Sequence, residues 1–286
     1  MKKLFFLAAA LFAAMTLNAT DLWTGSKHVS WDDGGLQIAA DQFADAQAGQ
    51  KIVITFSDAT DGMELKVMNA HFDHLAGARE ALWISGNGSV EQFLTVAAVD
   101  SLKLHGLEII GANFTATKVE LLDGKDLKEG ITVWTGFFWV DDDGGWKTLE
   151  LYRDAYAGID FSKVNAIRFY SEAAGTGYVL NFMRGWGEGE KFADQTAMTD
   201  GEGYKELALT DDLRTALAEA GHWMIQLSHQ ALSPFNFTDI VLVPKETPTA
   251  IENTNANPNA TKCIVNGLVV ILRDGKMFNM LGVEVR

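Results

Sequence analysis

The chain of 286 residues is long enough for two domains with ordinary hydrophobic cores. Its formal charge of −15 repels phosphate backbones and anionic lipid, which argues against nucleic acid or a membrane surface as a partner. One cysteine, Cys263, excludes an intrachain disulfide, so stability has to come from burial; a small packed residue is the simpler reading of that thiol than a link between chains.

Residues 1–19 read as a secretory signal peptide. Lys2 and Lys3 form a positive n-region, residues 4–14 are uninterruptedly apolar, and Leu17-Asn18-Ala19 ends on a small residue at the expected cut. The apolar run falls short of the roughly 20 residues a spanning helix needs, which weighs against a membrane anchor. No cysteine follows the cut to carry a lipid, and no later segment is apolar enough to cross a bilayer. Loss of Lys2 and Lys3 with the leader takes the charge from −15 to −17. The expected location is secreted or cell-surface, via the periplasm, with no membrane insertion after cleavage.

Past the leader, several words recur in the same order. Leu22-Trp23-Thr24-Gly25 returns as Val133-Trp134-Thr135-Gly136, and Asp32-Asp33-Gly34-Gly35 as Asp142-Asp143-Gly144-Gly145. Phe56-Ser57-Asp58-Ala59 is matched by Tyr170-Ser171-Glu172-Ala173, and Thr117-Lys118-Val119-Glu120-Leu121 by Thr238-Asp239-Ile240-Val241-Leu242. Each match alone is weak, but their shared order points to a tandem duplication, with one module over 20–123 and a second over 124–245.

Each copy reads as β-structure. Residues 52–56, 64–68 and 117–122 are β-branched or alternate apolar with polar, and Ser85-Gly86-Asn87-Gly88-Ser89 reads as a turn. One short helix is expected late in each module: residues 97–104 ahead of Gly106, and a second helix with Thr210 as N-cap, Asp211 and Asp212 at its positive start and Gly221 at C′. Strands at 107–110 and 223–227 should follow. The pattern predicts an all-β chain of two tandem jelly-roll-like β-sandwich domains. Residues 246–262, rich in Pro and Asn, read as a linker, and residues 263–286 as a C-terminal β-hairpin turning at Arg273-Asp274-Gly275.

The run Gly106-Leu107-Glu108-Ile109-Ile110-Gly111-Ala112-Asn113-Phe114-Thr115-Ala116-Thr117 resembles the closing strands of a module common in secreted Bacteroidetes proteins, and Trp23-Thr24-Gly25 with Gly35-Leu36-Gln37-Ile38 resembles its start. Such modules are often appended to plant-polysaccharide-degrading enzymes, so the resemblance implies carbohydrate binding. It covers the first copy; the second departs at residues 185–203 and carries Asn236-Phe237-Thr238 in place of the longer motif. The tail, with Asp274-Gly275-Lys276 and Gly282-Val283-Glu284-Val285, resembles a shortened C-terminal sorting segment of the type IX secretion system.

Eight tryptophans fit that implication. A pyranose presents C–H groups on its faces and hydroxyls at its edge, so it stacks on an exposed ring while amides and carboxylates bind the hydroxyls. Trp31, Trp139 and Trp146 lie beside the Asp-Gly-Gly words, and Trp83 and Trp186 beside Gly-rich stretches, where loops over a rigid scaffold carry binding residues. These five are the candidate carbohydrate-binding residues. Trp23 and Trp134, inside a repeated word, and Trp223, opening an apolar strand, read as core.

Asp32-Asp33 and Asp141-Asp142-Asp143 have the oxygens for calcium but not the spacing of a calcium loop, and turns favour Asp in any case; metal binding stays open. A glycosidase needs two carboxyls about 5–9.5 Å apart with one pKa raised. Glu188 and Glu190 sit in a Gly-rich stretch with no apolar wall to raise one. There is no His-Glu-x-x-His and no Gly-x-Ser-x-Gly word. The sequence is read as a non-catalytic protein without a cofactor, binding a plant polysaccharide (β-glucan or hemicellulose) through loop aromatics. The alternatives are a cell-surface structural or adhesive protein and, more distantly, a glycoside hydrolase with an unrecognised site. Burial of the five tryptophans would remove the chemical support for binding.

Overall fold

The computed structural model describes residues 19–79, 81–141, 145–228, 233–245, 260–265, 268–273, 276–278 and 284–285. The expected leader up to Asn18, Asp142-Asp143-Gly144, and residues 246–259 of the expected linker lie outside the described residues. The chain forms two compact units that divide after Lys245.

The larger unit holds two all-β sandwiches. The first has strands β1 (Thr20–Val29), β2 (Leu36–Ile38), β3 (Lys51–Asn69) and β4 (Leu82–Phe93), helix α1 (Val96–His105), then β5 (Leu107–Gly111) and β6 (Phe114–Leu122). The second runs β7 (Ile131–Val140), β8 (Lys147–Tyr152), β9 (Val164–Ser171), β10 (Gly177–Met183), β11 (Lys191–Met198), β12 (Tyr204–Ala208), helix α2 (Asp211–Glu219), β13 (His222–Ser228) and β14 (Phe235–Pro244).

Pairing is antiparallel throughout and follows one scheme in both halves. The opening strand pairs with the closing one, β1 with β6 and β7 with β14. The closing strand then pairs with the first half of β3, or with β9. The strand after the helix pairs with the second half of β3, or with β10, and on its other edge with β2, or with β8. What are separate strands β9 and β10 in the second half are one bent strand, β3, in the first.

That bent strand differs from the two strands expected at 52–56 and 64–68. The ladder to β4 slips between Phe56 and Ala59 and again before Met63, where Asp58 and Gly62 take positive φ. Extra unpaired residues bend a strand without ending it. The turn expected at Ser85–Ser89 is likewise continuous strand within β4: Gly86 pairs with Ala59 and Gly88 with Phe56. Gly86 takes φ 60°, and a Cβ on Gly88 would stand 3.4 Å from the Phe56 ring, so these glycines serve a bulge and a close approach.

The repeated Trp-Thr-Gly word has a packing cause. Residues two apart share a strand face, and the Trp134 indole lies along β7 over Gly136, where a Cβ would come within 3.0 Å of the ring. Trp23 lies over Gly25 in the same way, at 2.8 Å. Trp134 and Trp223 are buried, whereas Trp23 is only half-buried against its core.

Both helices carry the side-chain cap that starts a helix: Thr95 accepts from the Ala98 N–H, and Thr210 from the Leu213 N–H. Gly106 ends α1 at φ 82° with its N–H on the Leu102 carbonyl. Gly221 does not act as expected, because α2 stops on an extended Ala220. Two hydrophobic clusters share no residue: one spans Leu22 to Leu121, the other Val133 to Leu242.

The two sandwiches meet through named contacts. His74 stacks on Tyr152 with centroids 4.0 Å apart, and Phe93 meets Phe137 edge-on at 5.5 Å. Arg79 lies 5.2 Å over the Phe138 ring. From the connection, Lys125 donates to the carbonyls of Gly136 and Thr238.

The smaller unit is an antiparallel meander of β15 (Ala260–Val265), β16 (Leu268–Arg273), β17 (Lys276–Phe278) and β18 (Glu284–Val285). The expected hairpin is β16–β17, and the sheet begins at Ala260, ahead of Cys263, which pairs with Val270 in the ladder. Among the described residues no helix is long and apolar enough to cross a membrane.

Candidate functional site

All five candidate tryptophans are exposed, from 42% for Trp146 to 69% for Trp186. Their settings differ from the expectation in two cases. Trp83 and Trp139 sit on strands β4 and β7 rather than on loops. On β7, Phe138 and Val140 turn into the core, so Phe137 and Trp139 must turn out. Trp31 lies in the β1–β2 turn, Trp146 just before β8, and Trp186 in the β10–β11 connection. Among the described residues none of the five indoles stacks on another aromatic ring, so each presents its own face.

Trp139 has the polar neighbours a sugar site needs. It pairs directly with Asn236 on β14, which puts both side chains on the outer face of the sheet. The Asn236 amide donates to the Glu172 carboxylate at 2.7 Å. An exposed indole, an amide and a carboxylate therefore stand in one row across the sheet. In the sequence Asn236 and Glu172 stand only inside words compared between the copies, with nothing to mark them as binding residues. Asn236 between Phe235 and Phe237 reads as outward, but residues 137–140 are all apolar and do not single out Trp139, and the pairing that joins the two is not visible in one chain.

Trp83 stands beside Glu64 across the β3–β4 ladder, at the edge of the junction between sandwiches. Together with Arg79 it lines two adjoining clefts. One, of about 270 Å³, is walled by Glu91, Gln92, Phe93 and Phe137; the other, of about 220 Å³, by Glu64, Thr148 and Glu150.

Two of the acidic candidates, Asp33 and Glu190, are used locally. The Asp33 N–H donates to Ser30 Oγ and closes the turn that carries Trp31. Glu190 accepts from Arg184 Nε at 2.8 Å, a pair that closes the loop carrying Trp186; the Glu188 side chain lies outside the described residues. Among the described residues no three His, Cys, Asp or Glu side chains converge as metal ligands, and Asp142 and Asp143 lie outside them.

No family model matches the chain, and a comparison with curated proteins found no match. Among solved structures, the Bacteroides ovatus mixed-linkage glucan utilization locus SGBP-B, in complex with a mixed-linkage heptasaccharide, is 20% identical with a TM-score of 0.33. The overlap covers 36% of this chain and 30% of that one, so the match spans less than a third of the other protein's length. A likeness that loose defines neither ligand nor fold, and the functional reading has to rest on the chain's own residues.

Proposed function

We propose that the chain is an exported, non-catalytic carbohydrate-binding protein, a tandem duplication of one sandwich module, that holds a plant polysaccharide of the β-glucan or hemicellulose kind at the cell surface. The row Trp139, Asn236 and Glu172 carries the reading: the indole offers a face for the C–H side of a pyranose, and the amide and carboxylate offer partners for its hydroxyls. An aromatic contact is worth roughly 0.5–1.5 kcal/mol beyond area burial, by analogy with aromatic pairs. Trp31, Trp83, Trp146 and Trp186 are further platforms of the same exposed kind.

Each platform is open, so most hydroxyls exchange water for protein partners and affinity per site is modest. Several platforms on one polymer raise the apparent affinity through effective concentration. The tail acts as a sorting segment for type IX secretion. Affinity electrophoresis in gels containing β-glucan or hemicellulose, beside a reducing-sugar assay, tests the proposal: retention without sugar release supports it. Mobility unaffected by any glycan in a broad panel leaves the structural or adhesive role in its place.

A further inference from the structure

Arg79 differs from the basic side chains around it. Lys51 pairs with Glu91 at 2.6 Å, Lys66 lies 3.8 Å from Glu64, and Lys125 lies 3.1 Å from Asp239. Among the described residues Arg79 makes no hydrogen bond and no ion pair; its one packing partner of note is the Phe138 ring. Burial pushes its pKa below the ordinary arginine value, although arginine stays charged at any physiological pH, and the half-buried guanidinium still reaches solvent, since none of its nitrogens is among the buried polar atoms left without a partner.

A half-buried guanidinium without a protein acceptor has donors to spare, and its planar fork matches a carboxylate through two parallel hydrogen bonds. Among the described residues none of the carboxylates lining the clefts pairs with it: Glu91 pairs with Lys51, Glu64 lies 3.8 Å from Lys66, and Glu150 has a partner of its own. Arg79 lines both clefts, next to the exposed indole of Trp83. Arg79 is therefore a cation with no acid paired to it among the described residues, beside a stacking surface and between two small spaces.

We infer that the junction between the sandwiches is a subsite for a carboxylate-bearing sugar, a uronate substituent on an otherwise neutral glycan, with Arg79 clamping the carboxylate and Trp83 stacking the adjoining pyranose. This rests on the carbohydrate reading above and narrows its ligand class. The chain-wide charge of −15 still disfavours a polyanion. At physiological ionic strength, however, it is screened beyond about 8 Å, so contact with one isolated carboxylate is decided locally.

The test is isothermal titration of the mature protein with a glucuronate-substituted xylo-oligosaccharide and with the same compound after reduction of its carboxyl to an alcohol. The acid form is expected to bind about tenfold tighter or more, the scale of a charge-assisted hydrogen bond. Arg79→Gln should abolish that preference, Arg79→Lys should keep part of it, and Trp83→Ala should weaken both forms alike. Equal binding of the two forms by the wild type overturns the inference, as does a preference that survives in Arg79→Gln. The wild-type comparison decides even if a variant fails to fold. Retention in β-glucan gels without binding of either xylo-oligosaccharide sinks this inference alone, whereas no retention in any glycan gel sinks the wider reading with it.

Discussion

The ammonium of Lys125 lies 3.1 Å from Oδ1 of Asp239 and fastens the connection between the sandwiches to the outer face of the second. Asp239 is almost wholly buried and also accepts from Thr135 Oγ1 at 2.7 Å. The same ammonium sits 5.0 Å from the Phe137 ring and 5.7 Å from that of Phe93, so one cation touches both halves. Burial, with the nearby charge of Lys128, outweighs Asp239 and leaves the Lys125 pKa below its ordinary value. Forming the pair is therefore no large gain, but breaking it strands a buried carboxylate. Lys125→Met is expected to cost about 3 kcal/mol, the lower end for a buried pair because the lysine keeps some solvent. Urea unfolding should show a lower midpoint at unchanged slope, largely restored by adding Asp239→Asn. An unchanged midpoint for Lys125→Met would mean that the pair does not secure the connection.

Because the two hydrophobic clusters share no residue, residues 20–123 and 124–245 are expected to fold when made separately. Each should melt cooperatively, the first at a lower temperature than in the whole chain, since it loses the cover that Phe137 and Lys125 give to Phe93. Failure of both fragments to show a transition would place the boundary elsewhere.

Gly136→Ala should destabilise more than Gly25→Ala, although the clearance is tighter at Gly25. Trp134 is locked in the core and cannot move from the added methyl, while the half-exposed Trp23 can swing away. Overpacking costs about 1–3 kcal/mol, against which alanine recovers about 0.5–1 kcal/mol of strand entropy. The expected net loss is about 1 kcal/mol at Gly136 and near zero at Gly25, measurable as a difference in melting temperature. Equal losses would say that the indoles are equally confined.

Alkaline pH should unfold the protein through two tyrosines. The hydroxyls of Tyr178 and Tyr156 donate to the carbonyls of Phe169 and Ala220, and burial pushes both pKa values well above the ordinary 10.0. Above about pH 10 the unfolded chain gives up protons that the folded one keeps, so stability falls as pH rises from there. Lys125 works in the opposite direction: its folded pKa lies below 10.5, so the unfolded chain holds the extra proton in that window and stability gains with pH. Two strongly raised groups outweigh one lowered group. Phenolate absorbance from Tyr156 and Tyr178 should appear only together with unfolding; its appearance near pH 10 in the folded protein would contradict their burial.

The strands and the second helix with its cap were legible because they are local: alternation along β6, and Thr210 ahead of Asp211. Continuity of β3 and β4 was not, since Asp58, Gly62, Gly86 and Gly88 carry the composition of turns while serving as bulges in a paired ladder. Nor was the neighbourhood of each tryptophan. Asn236 reaches Trp139, and Arg79 reaches Phe138, only through pairings and packing between distant segments. A sequence shows which ring has reason to face outward, but not what stands beside it.

The central claim is that the exposed indoles bind polysaccharide, and affinity electrophoresis of the series Trp31→Ala, Trp83→Ala, Trp139→Ala, Trp146→Ala and Trp186→Ala in β-glucan and hemicellulose gels tests it most directly. None of these rings is buried, so each variant should melt within a few degrees of the wild type, as surface substitutions do. Trp139→Ala, which removes the platform beside Asn236 and Glu172, should lose the most retention, with smaller losses at the other positions. A wild type slowed by no glycan, or slowed equally with all five variants, would contradict the claim.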